Sequence, residues 1–164
     1  MKLKHYLWTF FISMVPLIEI RGSIPYAYTQ IELGAELNFV LCCILAVIGN
    51  MLPVPIIFFF ARKVLEWGKD KKIIGKFFTF CLEKGHKGGT KLEEKAGKGL
   101  YWALFLFVGI PLPGTGAWTG TLAASILDMD FKKSILAIMG GVLLAGIVVG
   151  LVYAGALSAL SFLM

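Results

Sequence analysis

The sequence predicts an all-α integral membrane protein, built as an inverted-topology repeat with two opposed re-entrant helical hairpins. Three observations carry this expectation. Residues 37–61, 99–127 and 134–164 are free of charge, and each is long enough to cross a hydrocarbon core, which takes about 20 residues of helix. The chain is 58% hydrophobic, which at 164 residues leaves too little polar surface for a soluble domain. One order of elements occurs twice: short apolar helix, Pro/Gly-broken segment, short apolar helix, polar link, long span.

The first repeat is expected over residues 1–61. Residues 6–18 form an apolar run too short for a full span. Pro16, Glu19, Arg21, Gly22 and Pro25 then follow closely, and proline breaks the helical ladder and pushes the preceding residue out of helical geometry. Residues 6–31 therefore read as a hairpin that dips into the bilayer and returns. Such backbone survives at membrane depth only where protein or an aqueous cavity covers it. Lys2 and Lys4 before the apolar run resemble a signal peptide, but no small-residue cleavage site follows, so the segment is expected to be retained. Residues 37–61 are the first long span, with Pro53 and Pro55 expected to kink it.

Residues 62–98 carry 11 Lys/Arg and 5 Asp/Glu, which accounts for the whole net charge of +6. The positive-inside rule puts this loop in the cytoplasm, against anionic headgroups. An amphipathic surface helix is expected over residues 64–82. A basic loop beside a span needs no nucleic acid to explain it.

The second repeat is expected over residues 99–164. Gly109-Ile-Pro-Leu-Pro-Gly-Thr-Gly116 has two prolines and three glycines in eight residues, so 99–127 reads as a second hairpin around an unwound turn. The last span is expected over 134–162, with Gly140, Gly141, Gly146 and Gly150 giving a small-residue face for close packing. Val15-Pro-Leu and Ile110-Pro-Leu stand at corresponding points, 95 residues apart. With the basic loop inside, the first long span runs inward and the last runs outward, a plan that recurs in secondary transporters with the substrate site near the breaks.

The chemistry must lie in the few polar groups interrupting the apolar segments. Glu19 and Arg21 are the sharpest signal, because a charge in an apolar setting is costly unless paired or wetted. Arg21 offers a rigid fork of donors to a carboxylate or phosphate, or to the opposite break. Glu19 is suited to orient Arg21, to bind a coupling proton or to meet a cation. Gly22-Ser23-Ile-Pro25 and Pro113-Gly114-Thr115-Gly116 are expected to expose backbone N–H and C=O groups, with helix N-termini beside them favouring anions. Pro111 shapes the second break, Thr115, Thr119 and Ser23 add short hydroxyls, and Trp118 can wall an apolar ligand.

Other chemistry is absent from the pattern. Gly114-Thr-Gly116 with Gly120 follows no strand and opens no βαβ unit, so it is no dinucleotide site. His5 and His86 stand without ligand spacing, and Cys42, Cys43 and Cys81 form no CxxC, so neither metal nor cofactor is expected. No cluster of nucleophile, histidine and carboxylate supports an enzyme.

Glu19-Ile-Arg-Gly-Ser-Ile-Pro25 and Pro111-Leu-Pro-Gly-Thr-Gly-Ala-Trp-Thr-Gly120 resemble the small multidrug export protein family over nearly the full length. That family is distantly similar to the DedA/VTT membrane proteins, whose two facing re-entrant hairpins move lipids, including undecaprenyl phosphate, with proton coupling proposed. The resemblance implies a multi-pass protein of the cytoplasmic (inner) membrane exporting small toxic compounds, with protons as the candidate coupling ion and membrane lipids as neighbours. The residues themselves point to amphipathic or anionic solutes, with Arg21 and the backbone dipoles for the polar part and Trp118 for the apolar part. A DedA-like lipid-phosphate translocase and a non-transporting assembly protein are the alternatives. This chain departs from DedA in having no arginine or acid in its second hairpin. The glycine-bearing last span is also suited to a homo-oligomer.

Overall fold

The computed structural model describes residues 2–69, 79, 97, 99–112 and 114–163, and within these the regular structure is helical. In chain order the helices are α1 (Lys2–Met14), α2 (Glu19–Glu32), α3 (Phe39–Met51), α4 (Pro53–Lys69), α5 (Gly99–Gly109), α6 (Ala117–Ile126) and α7 (Phe131–Leu163). The surface helix expected over 64–82 falls mostly outside the described residues, as do Cys81, His86 and Pro113.

Proline and glycine set most boundaries. The chain leaves α1 before Pro16 and turns through residues 15–18, with Leu17 in the left-handed region at φ 67°. α5 stops at Gly109, before Ile110-Pro111. The kink expected at Pro53 and Pro55 is a one-residue interruption at Leu52, whose N–H still donates to the Ile48 carbonyl at 3.2 Å. Both prolines fall in the first turn of α4, where backbone N–H groups lack helical partners anyway. α4 then runs to Lys69, past the expected span end at residue 61, and α7 starts three residues before the expected 134.

One expectation is overturned. Gly22, Ser23 and Pro25 are not unwound; they lie inside α2. The reversal is completed upstream at residues 15–18, and the Gly22 N–H already donates to Ile18 at 3.0 Å. Pro25 removes only the one N–H that would reach Arg21, and the Thr29 hydroxyl donates to the Pro25 carbonyl at 3.0 Å. Gly22 is needed for packing instead: a Cβ there would sit 2.2 Å from Ile18 Cγ2.

The two halves share details that the shared letters alone do not require. Asn38 caps α3 by accepting from Leu41 N–H at 3.1 Å, and Asp130 caps α7 by accepting from Lys133 N–H at 2.9 Å. The cap residues' own N–H groups donate to Tyr6 Oη at 2.8 Å and to Tyr101 Oη at 3.4 Å. The close crossings match too. A Cβ on Gly49 of α3 would lie 2.5 Å from the Phe10 carbonyl oxygen, and one on Gly141 of α7 would lie 2.7 Å from that of Phe105. Tyr101 and Phe105 follow Tyr6 and Phe10 by 95 residues, the offset of the two Pro-Leu pairs.

α1 packs on α2 and α3, α5 packs on α7, and the halves cross over, α2 against α7 and α6 against α4. Ile20, Ile24, Val54, Val108, Ile138 and Val142 sit in the shared core. Gly146 and Gly150 bring α7 close to Val47 and Cys43 of α3, so the small-residue face packs inside the chain. Phe39–Val64 and Phe131–Gly155 are long and apolar enough to cross a membrane. Only 39% and 33% of their most apolar windows are buried, so most of that surface faces outward, unlike the core helix of a soluble protein.

Candidate functional site

The site is built where the two breaks meet. α6 begins after Gly116, which has no side chain to cap the free N–H groups of the first turn. The cap comes from the other half. Glu19, 3% exposed at the start of α2, accepts from Ala117 N–H at 3.1 Å through Oε2 and from Trp118 N–H at 3.0 Å through Oε1. A carboxylate at a helix N-terminus also complements the helix dipole. Gly116, at φ 142°, makes room for it: a Cβ there would lie 2.3 Å from Glu19 Oε2. Glu19 itself sits at φ 49°, a left-handed conformation that a non-glycine residue holds at a cost.

Arg21 satisfies the carbonyls that the same break sets free. Nη1 donates to the Thr115 carbonyl, and Nη2 donates to the Ile110 carbonyl at 3.2 Å and to Thr115 Oγ1 at 2.9 Å. Nη1 also stands 3.9 Å from Glu19 Oε2, so the charges partly compensate one another. In return, Trp118 Nε1 donates at 3.1 Å to the Met14 carbonyl, at the end of α1. Each break thus supplies what the other lacks.

Residues 19–148 match the family described as "Putative small multi-drug export protein". The chain belongs to this family. Its description is that of an export family and not of an enzyme family. The match to the export family starts at Glu19 and takes in both sides of the interlock. No curated protein and no solved structure matches the chain.

Of the residues singled out in this chain, the structure brings together Glu19, Arg21, Thr115, Gly116 and Trp118. The peptide groups expected to be open to a ligand at the second break are taken by Glu19 and Arg21, because apolar surroundings penalise unpaired donors and acceptors. Pro111 and Gly114 lie on the exposed side of that break, and Thr119 Oγ1 turns back to the Gly116 carbonyl at 3.4 Å. Ser23 is fully buried along α2 with its hydroxyl unpartnered. Sequence reasoning missed Met14, Ile110 and Ala117, which take part through backbone atoms. The available signal was a helix start at Gly116-Ala-Trp with no capping side chain.

An apolar groove of about 320 Å³ runs beside the interlock, between Ile57, Phe60 and Val64 of α4 and Trp118, Leu122 and Ile126 of α6. A larger groove of about 440 Å³, between Val47 of α3 and Gly146 and Gly150 of α7, is apolar throughout and does not touch the interlock. Among the described residues no three His, Cys, Asp or Glu come together to hold a metal.

Proposed function

We propose that the chain is a small secondary exporter of amphipathic solutes whose two halves form an inverted repeat, with re-entrant hairpins α1–α2 and α5–α6 meeting at the transport site. The observation that carries this reading is the reciprocal interlock of Glu19, Arg21 and Trp118 across two helix breaks, beside an apolar groove that shares Trp118. Helix lengths support the hairpins: the four short helices have 10 to 14 residues, or about 15–21 Å at 1.5 Å per residue, short of the ~30 Å core. The matched caps and crossings support the repeat. The basic loop 62–98 then lies in the cytoplasm.

The closed interlock is one end state of this cycle. When the halves rock apart, Arg21 and the first N–H groups of α6 become available to the polar part of a solute, while Trp118 and the α4–α6 groove take its apolar part. Protons are the proposed coupling ion, acting through Glu19. The lipid-phosphate alternative has less support, because residues 99–127 carry no charge and so bring no second arginine to Arg21.

The test is reconstitution into liposomes, with an amphipathic fluorescent dye and a fluorescent lipid phosphate followed in parallel, with and without a pH gradient. Dye flux should respond to the gradient. Arg21→Gln and Glu19→Gln should each lower it by about tenfold, equivalent to ~1.4 kcal/mol. Dye flux unaltered in both variants would refute the site, and flux of the lipid phosphate alone would favour the translocase.

A further inference from the structure

The interlock holds only the N-terminal end of α6. Its other end is held by a second charged contact, between Arg62 of α4 and Asp128 in the turn after α6. Two features separate this contact from an ordinary surface pair. The first is backbone strain. Asp128 has φ 58°, in the left-handed region, while the matching turn after α2 places Gly34 there at φ 88°. The turns are the same: Leu33 and Ala35 N–H donate to Thr29 and Gln30, and Leu127 and Met129 N–H donate to Ala123 and Ala124, all at 2.9–3.0 Å. A Cβ on Gly34 would meet nothing within 4 Å, so glycine serves the turn without contact. At the corresponding position the chain accepts strain to carry a carboxylate that reaches across to the other half.

The second feature is that Arg62 has two partners. Its Nε donates to Glu66 Oε1 at 3.2 Å, one turn further along its own helix, while Nη1 goes to Asp128. If α6 moves off α4, Arg62 keeps the partner on its own helix. The side chains of Arg62 and Asp128 are 49% and 30% exposed, so solvent screens the pair and separating it is cheap. The pair also sits at the mouth of the α4–α6 groove: Ala61 and Val64 of its lining flank Arg62, and Ile126 precedes Asp128 by two residues.

We propose that Arg62 and Asp128 form an ionic gate across the end of the α4–α6 groove nearest the basic segment, with Glu66 holding Arg62 when the gate is open. This rests on reading that groove as the solute path, but the gate has a readout independent of transport.

A single cysteine replaces buried Ile57 (Ile57→Cys) in a full-length chain whose Cys42, Cys43 and Cys81 are changed to alanine. Its reaction with a charged, water-soluble maleimide is timed in detergent and in liposomes. Asp128→Asn and Arg62→Gln should each raise the rate about fivefold, the shift in open population that a surface pair of ~1 kcal/mol sustains. Glu66→Gln should leave the rate close to the parent's, because Arg62 holds this partner on its own helix whether or not it meets Asp128. The exchange R62D/D128R should bring the rate back toward that of the parent. Asp128→Gly distinguishes gating from structure: it relieves the strained turn, so the melting temperature should hold or rise while labelling still accelerates. Unchanged labelling in D128N, R62Q and D128G, or acceleration only in variants with lowered melting temperature, would overturn the gate. Gate-dependent labelling without dye flux would leave the gate standing and refute the export reading. Dye flux with gate-independent labelling would do the reverse.

Discussion

The two helix breaks stand at matching points and have opposite chemistry. The first, at residues 15–18, is short and followed at once by Glu19 and Arg21. The second, at residues 110–116, is longer and without charge, and it offers carbonyls of Ile110 and Thr115 to Arg21. The caps, tyrosine contacts and glycine crossings around them match from one half to the other, while the chemistry of the breaks does not. What a symmetric pair of breaks would leave unsatisfied twice over, the asymmetric pair satisfies by lending side chains in one direction and the Trp118 indole in the other. In a site made this way the donors and acceptors of the two breaks satisfy one another, so separating the halves would break these contacts together.

The strongest way to break this comparison is Gly116→Ala. The added methyl would occupy the space of the Glu19 carboxylate, at 2.3 Å from Oε2, and φ 142° is hostile to any L side chain. Expelling Glu19 leaves the first N–H groups of α6 uncapped and Arg21 without its counter-charge, a loss of about 3–5 kcal/mol on the scale of breaking a buried pair. Gly114→Ala is the control in the same break. It has left-handed φ (82°) but open space around it, so it should cost only about 1–2 kcal/mol. Thermal unfolding in detergent should separate the two. Equal losses would mean that Glu19 does not need the room at Gly116.

How much of this could be read from the chain alone follows from the range of each interaction. The breaks were legible because proline and glycine act on their own backbone: Pro16, Pro111 and Gly109 end helices where they stand. Two Pro-Leu pairs 95 residues apart are the sequence signal on which the proposed repeat rests. Gly22-Ser23-Ile-Pro25 was misread for the same local reason. The cost of a proline depends on whether the chain has already turned, and here it turned at residues 15–18. The identities of the partners were not legible. Glu19 meets peptide groups 98 and 99 residues away, and Arg62 meets Asp128 66 residues away. Backbone acceptors such as Met14 and Ile110 carry no side-chain signal at all.

A smaller effect tests whether the scaffold is as symmetric as its crossings suggest. Gly49→Ala would press a methyl against the Phe10 carbonyl at 2.5 Å and Ser13 Oγ at 2.2 Å. Gly141→Ala would press against the Phe105 carbonyl and Val108 Cβ, both at 2.7 Å. Each is overpacking of about 1–3 kcal/mol. The hydroxyl of Ser13 can rotate aside, whereas the Cβ of Val108 cannot. The two carbonyl clashes are similar, so the losses in melting temperature should agree within a factor of about two. A large loss at one crossing with none at the other would show that the two halves are only alike in outline.

The smallest expected difference lies at the ends of the long helices. Tyr6→Phe removes the acceptor for the Asn38 N–H at 2.8 Å, and Tyr101→Phe removes the acceptor for the Asp130 N–H at 3.4 Å. A net hydrogen bond contributes about 0.5–1.5 kcal/mol, and the shorter one should lie higher in that range. Tyr101→Phe also keeps the ring beneath Lys133, whose Nζ lies 5.5 Å from the ring centroid, so that contact is not lost. Tyr6→Phe should therefore lower the melting temperature more than Tyr101→Phe, and exchange of the Asn38 amide proton should accelerate more than that of Asp130. The reverse order would mean that the second half is the more tightly tied of the two.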